Sequence, residues 1–259
     1  MSGATGDVTV QLEQREGVLI VTIDRPEVRN AIDAVTAHAI ADAMDLLDNT
    51  PGLSLGVITG AGGTFCTGMD LKAFLAGERP SVEGRGFAGI AQTPPAKPII
   101  AAVEGYAIAG GFEIALACDL IVASHTAKFG LPEVKRGLLA GGGGLLRLPE
   151  RVPYSLGLEW ALTGDFVDAE QARAAGLISR LTEPGEALGT ALELAGRIAQ
   201  NGPLAVRGTK EIMTRSRDWS SDNRFEKMWE IYEPIRSSED AREGATAFKE
   251  KRAPRWQGR

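Results

Sequence analysis

Histidine and cysteine are nearly absent from this sequence, with two of each in 259 residues. Cys66 and Cys118 lie far apart and outside any metal-ligand spacing, which reads as two reduced, packed thiols. With only His38 and His125 to add to them, no zinc site is expected. Missing too is a charge-free apolar run of about 18 residues, the length that a membrane-spanning helix needs. The N-terminal MSGATGDVTVQLEQREG has neither the basic nor the apolar region of a secretory signal. Nor is there an excess of basic charge. A net charge of −6 and a pI near 5.2 argue against a general nucleic-acid or anionic-membrane surface, while leaving room for a local basic patch that holds a small anion. These absences lead to the expectation of a soluble, cytoplasmic protein with no metal, nucleic-acid or membrane partner. What is present in quantity is apolar sequence: 44% hydrophobic content over this length buries a sizeable core, as one large domain or a domain with an appendage.

The first half alternates strands and helices. VTVQLEQ and VLIVTID flank Arg15-Glu16-Gly17 as a hairpin, and DRPEVRN turns into a helix with Asp33 as its N-cap. Val35, Ala39, Ile40, Ala43 and Leu47 fall near helical spacing before the strand LGVITG. AKPIIAAVEG reads as a strand, Gly110 to Ala117 as a helix and DLIVAS as a strand, an α/β pattern. Between these units, residues 76–98 carry charges, glycines and prolines, and read either as an inert surface excursion or as a flexible lid. After residue 150, Asp168 and Gln171 fit a capping box, Gly176 fits a C′ position, and Glu186 to Gln200 reads as a helix closed by Asn201-Gly202-Pro203. Farther on, Phe225, Met228, Trp229 and Tyr232 form a stripe at helical spacing, which packs against the chain's own core or against another subunit.

Three enzyme motifs fail on context. Gly52-Leu53-Ser54-Leu55-Gly56 has the letters of a nucleophile elbow, but a helix precedes it and a strand follows, the reverse of what a serine hydrolase using Ser54 requires. The glycines after LGVITG put Phe65 where a dinucleotide fingerprint needs a small residue. No lysine follows a glycine, which excludes a P-loop of the usual form.

One residue stands out against its surroundings. In GYAIAGGFEIALACDLIVAS, Glu113 is a carboxylate among apolar neighbours, costly unless paired, hydrogen-bonded or protonated. Gly110 lies at or near the helix N-terminus, where unpaired N–H groups favour an anion, so its amide is a candidate oxyanion donor. Glu113 either does chemistry there or only complements the helix dipole. Downstream, FGLPEVKRG places Glu133 after Pro132, where proline and glutamate are also ordinary first-turn residues.

The stretches AGGTFCTGMDLK, AAVEGYAIAGGFEIALACDLIVAS and KFGLPEVKRGLLAGGGGLLRLP, in this order, resemble the crotonase superfamily, and most closely its enoyl-CoA hydratases. DRPEVRNAI, LTGDFVDAEQARAAGLIS and GATAFKEKRAPRW also look like family segments, so the resemblance covers nearly the whole chain. It implies an α/β fold of the crotonase type: a spiral of ββα units over residues 1–200 and a helical region, 201–259, that packs homotrimers, often paired into hexamers. It also implies that Glu113 and Glu133 carry general acid and base chemistry, Glu113 chiefly activating water and Glu133 chiefly donating a proton. The amides of Met69 and Gly110 would form the oxyanion hole.

The implied substrate is an acyl-CoA, with no separate cofactor. Lys72 and Arg29 could approach its phosphates or be solvated surface charge. Asp70, next to Met69, is expected among the substrate and CoA contacts, and Phe248 and Lys251 resemble positions that contact the nucleotide of a neighbouring subunit. The reaction implied is hydration of a trans-2-enoyl-CoA to a 3-hydroxyacyl-CoA. An enoyl-CoA isomerase, a specialised dehydratase such as one for carnitinyl-CoA, and a non-catalytic acyl-CoA-binding relative stand as alternatives. The chain departs from many hydratases at LAGGGGLLRL, where they have PGAGGTQRL in outline; loss of the hydroxyl and gain of Leu145 imply a more apolar acyl-pocket wall.

Overall fold

The computed structural model describes residues 8–259. Strands β1 (Val10–Arg15) and β2 (Val18–Ile23) form the expected hairpin, with Arg15 opposite Val18. Glu16 and Gly17, both at positive φ, give the tight turn a twist that matches its strands. Helix α1 (Ala34–Asn49) begins where Asp33 accepts a hydrogen bond from the Thr36 N–H, a cap worth about 1 kcal/mol. Next come β3 (Leu55–Gly60), the short α2 (Leu71–Leu75), and the two-residue strands β4 (Ser81–Val82) and β5 (Gly86–Phe87). The central part runs β6 (Ile99–Val103), β7 (Tyr106–Ile108), α3 (Gly110–Ala117), β8 (Leu120–Ser124) and β9 (Lys128–Gly130). After α4 (Gly144–Arg151) and α5 (Tyr154–Thr163), β10 (Val167–Asp168) leads into α6 (Ala169–Ala174) through the capping box of Asp168 and Gln171. Strand β11 (Arg180–Thr182) and α7 (Ala187–Ala199) close the mixed part, and the rest is helical: α8 (Pro203–Arg215), α9 (Arg224–Arg236) and α10 (Glu239–Glu250).

The larger sheet has the order β1-β2-β3-β6-β8-β11, parallel from β2 onward, and the smaller has the order β10-β9-β7. Successive passes of the chain lay one strand in the larger sheet and one in the smaller: β6 then β7, β8 then β9. The parallel strands are nearly continuous apolar runs because both faces are covered. Leu19, Val21, Ile58, Ala101 and Ile121 face a core that includes Ile40, Met44 and Leu47 of α1 and Ile114 of α3. Val18, Val57, Ile100 and Val122 face Ala187, Ala191 and Ala195 of α7. Among the described residues no helix is long and apolar enough to cross a membrane.

The segment 76–98 is neither an inert excursion nor wholly a surface lid. Its first half is mostly exposed, but Ala88, Ile90 and Ala91 are buried in the core, and Phe87 packs between Gly110 and Gly142. Ser54 also sits in a plain setting: its hydroxyl donates to no base among the described residues, and its backbone N–H donates to the Gly17 carbonyl at 2.7 Å. The aromatic stripe departs from a core role within this chain. Phe225, Trp229 and Tyr232 are 62%, 47% and 42% exposed, and α9 has no buried residue.

Candidate active site

Two backbone segments are brought edge to edge. Cys66 bridges in parallel to Ala107 beside β7, with Cys66 N–H donating to the Tyr106 carbonyl and Ile108 N–H to that of Cys66. Met69 bridges to Ile32: Ile32 N–H donates to the Gly68 carbonyl and Asp70 N–H to the Ile32 carbonyl, both at 2.8 Å. Alternation along an extended chain then turns the Met69 N–H away from Ile32. On the other side, Ala109 holds a positive φ of 52° with ψ −130° as the N-cap of α3, a strained conformation for a residue with a Cβ. It ends β7 and starts the helix at Gly110, whose N–H has no acceptor in the helix it begins.

The approach is close. A Cβ on Gly68 would lie 3.0 Å from the Gly110 nitrogen, and one on Gly111 would overlap the Cys66 carbonyl. Neither the Met69 nor the Gly110 N–H donates a hydrogen bond among the described residues. Two free, rigidly held donors at a helix N-terminus can stabilise a developing oxyanion.

Glu113 lies on the first turn of α3 and is 4% exposed. Its Oε1 accepts the Gly144 N–H at 2.9 Å, so it does more than complement the helix dipole. Burial raises its pKa from 4.5 to about 7. The Glu133 carboxylate adds to the rise, while the Gly144 and Gly142 N–H groups and Arg147 oppose it. Glu133, on the 3-10 helix Pro132–Arg136, is also pushed up by burial, and its Oε2 is buried with no hydrogen-bond partner. Two carboxyls that each resist ionisation, with the charge of Glu133 felt at Glu113, can hold a proton between them and pass it on.

The glycine run does more than turn the chain. Gly143, at φ 92°, is the N-cap of α4, but its neighbours are needed for space: a Cβ on Gly142 would lie 2.7 Å from Glu113 Oε2, and one on Gly144 would lie 3.0 Å from its Cγ. Gly142→Ala is therefore expected to displace the carboxylate and lower kcat by tens of fold to about 100-fold with an unchanged circular dichroism spectrum; normal turnover would show that the carboxylate has freedom to move.

The other residues named from the sequence fall in different places. Asp70 is the N-cap of α2, accepting from the Lys72 and Ala73 N–H groups, and it pairs with Arg25 at 3.1 Å. Burial alone would raise its pKa, but the Ala73 N–H, Arg25 and the Lys72 N–H outweigh it and lower the pKa. Its carboxylate is thus engaged in holding the chain just after Met69. Lys72 and Arg29 are exposed and in no ion pair among the described residues, Arg29 at φ 54° with its carbonyl accepting from Thr67. Phe248 is 88% exposed on α10 and Lys251 is that helix's C-cap, so both lie on the helical region. Leu146 lines the large cavity beside α3, whereas Leu145 does not.

Three contributors went unnamed in the sequence reading. Arg25 ties the caps of α1 and α2 through Asp33 and Asp70, Asn30 braces the turn by donating to the Ala61 and Thr64 carbonyls, and Phe87 covers Gly110. No local feature of the sequence marks any of them: the burial of Asn30 and its positive φ appear only in the fold.

Comparison with known proteins agrees with this geometry. Residues 13–259 match the family model described as enoyl-CoA hydratase/isomerase. The chain is 41% identical to a carnitinyl-CoA dehydratase of Proteus mirabilis, covering 97% of this chain and 99% of that one. It is 40% identical to the enoyl-CoA hydratase EchA19 of Mycobacterium tuberculosis, covering 96% of each. Among solved structures, enoyl-CoA hydratase EchA1 from Mycobacterium marinum superimposes with a TM-score of 0.96 at 60% identity, over 97% of this chain and 99% of that one. With a family match over nearly its full length and the crotonase fold, the chain belongs to the enoyl-CoA hydratase/isomerase family.

Proposed function

We propose that the protein is an acyl-CoA hydratase, adding water reversibly across the double bond of a trans-2-enoyl-CoA to give a 3-hydroxyacyl-CoA. The observation that carries this reading is the pairing of Glu113 and Glu133, both held above the usual carboxylate range, beside two unpaired backbone donors. Hydration places negative charge on the thioester oxygen, which the Met69 and Gly110 amides would stabilise. One carboxylate then takes a proton from water attacking C3 while the other carboxyl delivers one to C2. Glu113, fixed by Gly144, suits the first role and Glu133 the second. The chemistry needs no cofactor beyond the thioester substrate. Dehydration of a 3-hydroxyacyl-CoA is the same path in reverse, so a specialised dehydratase, as the Proteus relative is named, uses the same groups. A panel of trans-2-enoyl-CoA esters of varied length and branching, followed by loss of conjugated absorbance, tests the reading; binding without turnover across the panel would favour a non-catalytic acyl-CoA-binding protein.

The reading extends to assembly and to place. The exposed aromatics of α9 favour a homotrimer, or a hexamer of paired trimers, in which Phe248 and Lys251 would meet a neighbour's nucleotide. Light scattering is expected to give at least three times the 27.4 kDa chain mass, and a monodisperse monomer at micromolar concentration would contradict it. Cys66 and Cys118 are buried free thiols whose pKa burial pushes up to about 12, in keeping with a reducing, cytoplasmic setting.

A further inference from the structure

A cavity of about 1140 Å³ runs alongside α3. Its walls start at Phe87, Gly142 and Gly143, the group that backs the Glu113 carboxyl and covers Gly110, and continue past Leu116 and Ala117 to the C-terminal end of the helix. Neither Arg29, Met69 and Lys72 nor Glu133 lines it. The lining carries six Lys and Arg side chains against four carboxylates; Arg147 reaches the near end, its guanidinium beside Gly143, and the other five cations lie farther along. Lys210 pairs with Asp119 at 2.7 Å, Arg215 with Glu211 at 2.5 Å, and Arg217 with Glu150. Arg151 donates to the Cys118 carbonyl. Arg147 and Arg207 have no carboxylate partner among the described residues, and Asp218 is the lining acid left without a cation. Arg207 also stands near another cation, Lys97, whose ammonium pKa is lowered by burial first, with Asp48 opposing and Arg207 adding to the fall.

We infer that this cavity receives the distal end of the acyl chain and that the preferred substrates carry a carboxylate there. The inference rests on the acyl-CoA reading of the neighbouring site. The eight residues of α3 rise about 12 Å, the length of wall that the helix gives the cavity between its two ends. Methylenes would run past Leu116, Ala117 and Leu146, and the carboxylate would meet the Arg207 guanidinium in a charge-assisted pair, a planar fork suited to it. A plain alkyl chain of the same length would instead leave its apolar end among solvated cations.

The test compares two thioesters that differ only at the far end, so that any contact made by coenzyme A cancels. Calorimetry on the full-length protein measures binding of a saturated acyl-CoA about ten carbons long and of its ω-carboxy analogue, neither of which can be hydrated. The carboxylated ester is expected to bind about tenfold more tightly. Arg207→Gln is expected to bring the two within about twofold while leaving the plain ester unchanged, and Arg207→Lys to keep most of the preference. Equal or weaker binding of the carboxylated ester by the unmodified protein overturns the inference without any variant. A loss by Arg207→Gln that falls equally on both esters overturns it as well. Failure to hydrate any enoyl-CoA would defeat the hydratase reading, yet the binding ratio would still report on the cavity.

Discussion

Glu113→Gln is expected to lower kcat for enoyl-CoA hydration about 100-fold or more, and at the same time to raise the melting temperature above neutral pH. The first effect follows from loss of proton exchange at a group that keeps its size and its acceptor oxygen toward Gly144. The second follows from linkage. Burial holds the folded-state pKa near 7, above the ordinary 4.5, so the folded protein binds the proton more tightly than the unfolded chain. That stabilisation is fully present below about pH 4.5 and is lost as pH rises toward 7. At pH 8 the carboxylate sits ionised in a site only 4% exposed, at a cost of up to about 3 kcal/mol. A neutral amide avoids the cost, and recovering about 1–3 kcal/mol in a chain of this size raises the melting temperature by a few degrees or more. The parent's stability should fall between pH 5 and 7 more steeply than the variant's. A variant that is inactive and also less stable at pH 8 would mean that Glu113 is chiefly structural.

Removing the Gly110 donor is expected to cost about 10² to 10³ in kcat, but its test has to respect the packing around that residue. Proline lacks the N–H, yet any Cβ at 110 would run into the Phe87 ring. The informative comparison is therefore made in a Phe87→Ala background, where Gly110→Ala keeps the amide donor and Gly110→Pro does not. Both variants carry a Cβ into the space that the ring vacates. If the alanine variant retains most of the background's turnover and the proline variant loses it while still binding coenzyme A, the amide stabilises the transition state. Equal rates in two folded variants would remove Gly110 from the oxyanion hole.

How much of this was readable in advance depended on whether the signal was local. Asp33 before α1, the Asp168 and Gln171 box before α6, and the helix from Gly110 to Ala117 between two apolar strands each advertise themselves within a few residues, and each appears where expected. So does the anomaly of a carboxylate inside an alanine-rich helix. The smaller sheet was missed because β7 and β9 have three residues each and β10 two, too short for an alternation to register. Contacts across the fold were invisible for another reason: nothing in GFAGIAQ says that Phe87 will rest on Gly110, and nothing in AGGGG says which of its glycines face a carboxylate. Asp70 shows a role that the sequence leaves unsaid: its carboxylate caps α2 and pairs with Arg25, holding the backbone just after Met69.

The account stands most directly on one measurement: the product formed when the protein turns over a trans-2-enoyl-CoA in heavy water, read by mass spectrometry. Water activation by one carboxyl and protonation of C2 by the other predict a 3-hydroxyacyl-CoA heavier than its substrate by one heavy water and retaining a single deuterium at C2 after return to ordinary water. A product of substrate composition, with the double bond moved and nothing added, would contradict it.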